Sequence, residues 1–278
     1  MQIRHKETGE FILEVSGPSL AGRRVRGARL HHAALRGEDM TGADLRGADL
    51  CIADLSGATL CGANLTGADL SGATLTGAKL DGAVLLDAKL LGVNLANATL
   101  RRADLTRATL RFAEASGADF SDAVMPRADL SYGVFRGANF TGAQLDEASL
   151  NFTNVAGAKL RYANLVCAVL IQADLSDADL DQADFMHAAL NGTDLRGANL
   201  GGALFRHAVL GGCWNLDRAH GVAEARYLEL GSLDVRTLRA SLGSLSDESL
   251  VALGIVKETI ASLRSAVGLG GPDPRSAA

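Results

Sequence analysis

Residues 66–85 read TGADLSGATLTGAKLDGAVL, with leucine at every fifth position (Leu70, Leu75, Leu80, Leu85), alanine two places before each and glycine three places before each. A period of five excludes the ordinary elements. On an α-helix, at about 100° per residue, a five-residue step rotates the leucine by roughly 140°, so no apolar stripe forms. On a flat strand an odd step sends successive leucines to opposite faces. Alanine and leucine two apart do share one face of a short extended segment. The chain must therefore turn a corner every five residues and keep winding around one interior. The glycines recur where such a corner needs a permissive backbone.

The register runs without insertion from residue 30 to residue 210. Of its 37 centres only Ala115 is not Leu, Phe, Met or Val, and the positions two before them are alanine in 32 cases. The exceptions are Glu38, Val93, Gly133, Thr153 and Thr193. Leu20 and Val25 give a looser start. Ala115 reads as a gap filled by Phe120, Phe135 and Phe140, because large and small side chains alternate in a packed interior. Aromatic residues are scarce, at 4%, which fits an interior too narrow for rings.

The phrasing A-[D/N]-L-x-x, as in GADLRGADLCIADLSGATL, resembles the pentapeptide-repeat family over most of the chain. The resemblance implies an all-β solenoid, a right-handed quadrilateral β-helix with four pentads per coil. Ten such coils, stacked at the ~4.8 Å strand spacing, make a rod of roughly 48 Å. A single coil cannot stand alone, so the rod depends on its neighbours in the stack.

Four regions follow. Residues 1–17 alternate in polarity around Glu-Thr-Gly-Glu and read as a β-hairpin cap, closed by Gly17–Pro18. Residues 18–216 are the repeat solenoid, with Trp214 and Leu216 expected as its lid. Residues 217–269 read as a helical cap or dimerisation region. Helical spacing runs through Tyr227, Leu230, Leu233, Leu238 and Leu242, interrupted by Gly231. A second helix starts at Ser246, a favourable N-cap followed by Asp247 and Glu248. Its apolar residues Leu253, Val256, Ile260, Leu263 and Val267 step by three and four, the spacing of a coiled-coil seam, although Gly254 weakens it. Family relatives dimerise through C-terminal helices, so the resemblance points to a homodimer through this seam. Residues 270–278 read as a disordered end.

Nothing suggests an enzyme. The glycines follow the period of five and form no phosphate loop, and neither G-x-S-x-G nor H-E-x-x-H occurs. No catalytic residue and no cofactor is assigned. The four cysteines show no pairing motif, and Cys51 and Cys61 stand half a coil apart, which excludes a bond between them. A reducing, cytoplasmic compartment is the simplest reading. No apolar run approaches the ~20 residues of a membrane span. Glu147, Cys167, His187 and His207 align on one outward corner, but a straight row surrounds a metal ion poorly. No metal site is assigned there.

Two surface features bear on function. Phe112, Tyr132 and Phe152, with Ile52 farther along the same line, form an outward apolar column, to be read as covered by the tail, as a partner site, or as stacking exposed to solvent. Charge is uneven within a chain of net charge −5. Residues 18–36 carry Arg23, Arg24, Arg26, Arg29 and Arg36 and no acid. Residues 141–200 carry eight acids (Asp146, Glu147, Asp174, Asp177, Asp179, Asp181, Asp184, Asp194) against Lys159, Arg161 and Arg196, a local net of −5.

The family includes the quinolone-resistance (Qnr-type) proteins and their albicidin-resistance relatives. These dimeric rods resemble duplex DNA, bind DNA gyrase or topoisomerase IV, and protect it from poisons. The resemblance therefore implies a topoisomerase-binding DNA mimic whose contact surface is those eight acids. Residues 18–213 hold 21 acids and 18 bases, a net of only −3, so any mimicry is local. The alternative is a regulatory or scaffold solenoid that binds another protein at Phe112, Tyr132 and Phe152. Direct nucleic-acid binding by the arginine-rich start fits poorly with a negative net charge.

Overall fold

One hydrogen-bond scheme repeats along the chain. Around Leu70, its N–H donates to Lys89 O at 2.7 Å, the Gly72 N–H to Leu91 O at 2.8 Å, and the Asp69 N–H to Ala48 O at 2.9 Å. The Ala73 N–H returns to Leu70 O at 3.0 Å, closing a four-residue turn. Gly72, the third residue of that turn, has φ +65°, as a type II turn requires. This computed structural model describes residues 1–227 and 232–266. Leu230, Gly231, Val267 and residues 270–278 lie outside the described residues.

The ladders repeat every 20 residues and are parallel. Asp49 pairs with Asp69, Asp54 with Thr74, Thr59 with Lys79 and Asn64 with Val84, so each coil contributes four ladder positions, one per pentad. Leucine and alanine of every pentad face inward, and Leu70, Ala73 and Leu75 are 0–1% exposed. From residue 22 to residue 212 every fifth residue has positive φ, and of these corners 20 are glycine and 19 are not. Between 97 and 187 only Gly117, Gly137, Gly142 and Gly157 remain. A non-glycine residue in the left-handed region is strained by ~1–2 kcal/mol. The corners of this stretch thus carry side chains against a backbone preference for glycine.

The interior is wider than the aromatic content suggests. Phe120, Phe135, Phe140, Phe185 and Phe205 are all buried. Phe120 and Phe140 stack at 4.9 Å, Phe185 and Phe205 at 5.0 Å, because residues 20 apart lie directly over one another along the axis. Phe135 completes a cluster with Phe120 and Phe140, at 5.9 and 5.7 Å. Ala115, fully buried, precedes Phe135 by one coil.

The ends close differently. Strands β1 (Gln2–Arg4) and β2 (Phe11–Glu14) form an antiparallel hairpin with Ile3 buried. An antiparallel bridge from His5 to Ala33 lays the hairpin on the first coil. At the far end the coil lengthens instead of stopping. Asp194 pairs with Trp214, Asn199 with His220 and Leu204 with Arg226. Strand β3 (Val209–Leu210) then pairs in parallel with β4 (Ser232–Leu233). One residue is added at each step, so the ladder outlasts the strict period. Trp214 is no lid, being 66% exposed at an outward ladder position, whereas Leu216 is buried. Tyr227 instead stacks on Phe205 at 5.2 Å.

Helix α1 spans Val235–Ser241, α2 Asp247–Ala252 and α3 Lys257–Ala266. Helical structure thus starts later than the spacing through Tyr227 suggests, since Leu233 is in a strand. Ser246 caps α2 as expected, accepting from the Ser249 N–H at 3.1 Å. The expected continuous helix with its seam breaks at Gly254 (φ +87°). The break turns Leu253 and Ile260 inward, to 4% and 2% exposure, while Leu263 is half-buried and Val256 stays exposed. The four described residues of the expected seam, Leu253, Val256, Ile260 and Leu263, therefore do not form one exposed stripe.

Candidate functional site: the surface ladders

The acids divide by position in the pentad. Asp174, Asp179, Asp184 and Asp194 occupy the place before the buried centre (Leu175, Leu180, Phe185, Leu195), where each Oδ1 accepts the backbone N–H two residues on: Ser176 at 3.0 Å, Asp181 at 3.3 Å, Met186 at 2.9 Å and Arg196 at 3.0 Å. Asn64, Asn139 and Asn154 make the same bond. The D/N of the repeat is therefore a turn cap, and its frequency reflects folding before function.

Several of the eight acids are already engaged. Arg127 holds Glu147 through two bonds, at 2.9 and 3.0 Å, which lowers the pKa of that carboxyl. Arg161 lies 2.7 Å from Asp181 and 3.8 Å from Asp179. Asp194 also accepts from Asn215 at 2.7 Å. Asp174 and Asp194 are ladder neighbours on one face, and Asp177 occupies the following corner at φ +56°. Asp184 and Asp146 lie on other faces. The eight acids thus wrap the rod; Asp174 and Asp194 lie side by side on one ladder, with Asp177 at the next corner and Arg196 two residues beyond Asp194.

The aromatic column is a physical ladder. Phe112 stacks on Tyr132 at 5.2 Å and Tyr132 on Phe152 at 5.0 Å, with interplanar angles of 20° and 6°. The Arg111 guanidinium lies 5.5 Å from both the Phe112 and Tyr132 centroids. All three rings sit at left-handed corners, and none is covered: exposures are 52%, 44% and 45%. Ile52, at 39%, lies on the same line beyond Gly72 and Gly92.

The preceding corner carries its own unbroken row: Asp87, Arg107, Arg127, Glu147, Cys167, His187 and His207, all with positive φ. Asp87 and Arg107 pair at 2.7 and 2.6 Å. The His187 and His207 rings stack at 4.9 Å. In this row Glu147 is bound to Arg127, and Cys167, His187 and His207 stand in a line one coil apart. Among the described residues His31, Asp49 and Cys51 do converge, with ligand atoms all within 4.8 Å of one another. Sequence reading missed that group because the repeat scatters it over two coils. The signal was available: His31 and Cys51 are one coil apart, and Asp49 sits beside Cys51.

A chain that turns every five residues, stacks its coils every 20 and shows its neighbours only rows of side chains is a stacked-repeat solenoid, a class whose chemistry lies on its outer surface. The family model for pentapeptide repeats matches in 8 copies, over residues 26–50, 53–87, 88–125, 127–161, 153–192, 163–202 and 183–214. The chain belongs to the pentapeptide-repeat family. It is similar to HetL of the cyanobacterium Nostoc sp. strain PCC 7120, a pentapeptide repeat protein involved in heterocyst differentiation regulation. Identity is 28%, over 77% of this chain and 92% of that one, with TM-score 0.49. It is also similar to a trypsin-treated variant of QnrB1, a plasmid-mediated fluoroquinolone resistance protein. There identity is 23%, over 73% and 96% of the two chains, with TM-score 0.36. A third is a pentapeptide repeat protein of the Arabidopsis thaliana thylakoid lumen, 30% identical over 48% and 75%, with TM-score 0.20. No curated protein matches. Among the described residues no helix is long and apolar enough to cross a membrane.

Proposed function

We propose that this chain is a non-enzymatic binding protein, a right-handed quadrilateral β-helix that recognises a partner protein along its side. One observation carries the reading: side chains are kept at corners where glycine is easier, and three of them form an exposed aromatic ladder. An exposed apolar stripe on a folded chain is a mark of an interaction surface.

Within this reading the more specific function is protection of a type II topoisomerase, DNA gyrase or topoisomerase IV, from poisons by local DNA mimicry. Its support is the acidic spot at Asp174, Asp177 and Asp194, whose field would steer the rod to a basic groove. The alternative, a regulatory or scaffold solenoid, is supported by the aromatic ladder. A topoisomerase partner places the protein in the cytoplasm, in keeping with four free thiols. Homodimerisation through the tail belongs to the same proposal, with no direct nucleic-acid contact, membrane or cofactor.

One experiment separates the two. Purified protein is added to gyrase supercoiling and cleavage-complex assays with and without a poison, alongside an Asp174→Asn/Asp177→Asn/Asp194→Asn variant and a Phe112→Ala/Tyr132→Ala/Phe152→Ala variant. Loss of protection in the first variant alone supports topoisomerase mimicry. Absence of any effect by the parent at low salt, where screening is weakest, refutes it.

A further inference from the structure

We propose that His31, Asp49 and Cys51 form a zinc site near the N-terminal end of the solenoid, with the fourth position left to water. The register builds it. His31 and Cys51 are 20 residues apart and stack in adjacent coils. Asp49 stands two places before Cys51 and accepts its N–H at 3.0 Å. The His31 Nδ1 lies 3.6 Å from Asp49 Oδ1. Zinc bonds of about 2.0–2.1 Å to nitrogen and oxygen give a tetrahedral N···O edge of roughly 3.3 Å, so this pair needs only a small contraction. The three ligand atoms lie within 4.8 Å of one another, so side-chain rotation is enough to close the set. One imidazole, one thiolate and carboxylate oxygen form a borderline donor set that suits zinc rather than magnesium or calcium.

When zinc binds, the Cys51 sulfur–zinc bond forms, the thiol proton leaves to solvent, and bound waters are released.

The surroundings support the ligand imidazole. His31 meets the His32 ring edge-on at 4.4 Å, and His32 stacks on His5 of the hairpin at 4.8 Å. The His32 Nδ1 is buried without a hydrogen-bond partner. The site joins two successive coils beneath the hairpin cap, where zinc would act as a structural clip.

The test is a cobalt(II) titration of the full chain. The parent should show a thiolate-to-cobalt charge-transfer band at one equivalent, abolished by zinc. Cys51→Ser should abolish the band, His31→Ala should weaken binding at least tenfold, and Cys167→Ser should leave it unchanged. Zinc should also protect Cys51 of the parent from alkylation, read by mass spectrometry, which needs no variant to fold. A parent without the band, a band that survives Cys51→Ser, a band lost in Cys167→Ser, or Cys51 alkylated equally fast with and without zinc would each overturn the site.

Discussion

The ring of Phe135 fills the space in which a side chain at residue 133 would start: a Cβ built on Gly133 lies 2.5 Å from Phe135 Cε2. Gly133 interrupts a nearly constant row of alanines where the Phe135 ring turns into that volume. Ala118, Ala138, Ala183 and Ala203 also stand two places before buried phenylalanines, so the pose of the ring, not its presence, excludes the methyl. Gly133→Ala, ordinarily the consensus change for this fold, should therefore destabilise by ~1–3 kcal/mol. Ala115→Leu, which adds bulk one coil before Phe135, should act in the same direction. Thermal melting checks both, and a midpoint at or above the parent's would refute the packing account.

Corner strain has a separate test. Gly67 has φ +63° and open space around its would-be Cβ, so Gly67→Ala isolates the backbone term and should cost about 1 kcal/mol. Arg102, at φ +56°, has an 82% exposed side chain 3.8 Å from Asp122. Arg102→Gly should be neutral or stabilising, because relief of ~1–2 kcal/mol exceeds the ~0.4–1 kcal/mol entropy penalty of glycine. The urea midpoint should fall for Gly67→Ala and should not fall for Arg102→Gly.

Acid sensitivity follows from the turn caps. The side chain and N–H of Thr41 lower the Asp39 pKa. At Asp54 burial pushes upward, but the Ser56 hydroxyl and N–H outweigh it and the net shift is down. A carboxylate depressed in the folded state adds stability that is fully present above its unfolded pKa of about 3.9, and that is lost as pH falls through the lower folded value. Melting temperature should thus be flat above about pH 5 and fall steeply between about pH 4 and pH 2. Asp54→Asn, which keeps the acceptor, should flatten that acid limb. An unchanged limb would show that other carboxylates dominate it.

The tail prediction shifts to different residues. Leu253 and Ile260 are internal, whereas Val251 and Val256 are 44% and 60% exposed. If two copies associate through the tail, Val251→Asp with Val256→Asp should yield a folded monomer by light scattering. Ile260→Asp should instead lose helical circular dichroism. A full-length protein that is monomeric at tens of micromolar would end the dimer proposal.

Thiol reactivity should rank by environment. Cys167 is exposed. Burial, then the Asp69 and Asp49 carboxylates, push Cys51 up to about 12, and burial first of all pushes Cys213 up to about 11. Since the thiolate is the nucleophile, iodoacetamide without added metal should modify Cys167 well before Cys51 or Cys213. Equal rates by mass spectrometry would contradict the assignment.

By itself the sequence determined the repeat, the inward leucines and alanines, the turning corner and the hairpin start. All of these are local consequences of a five-residue period that recurs without interruption, so each copy reinforces the reading of the next. The N-cap at Ser246 was legible for the same reason, since a cap needs only neighbouring residues. Tertiary structure decided what depends on stacking at a distance of 20. Phenylalanines enter a seemingly narrow core because they lie over one another, as Phe185 and Phe205 do. Asp174 and Asp179 cap turns as well as carry charge, and Arg127 holds Glu147 from the next coil. His31 meets Cys51 only through the winding. The last coil lengthens by single residues up to Leu233, and the expected helix breaks at Gly254 to bury Leu253 and Ile260. A periodic pattern reports which way a side chain faces, but its neighbours one coil away are set by the stack.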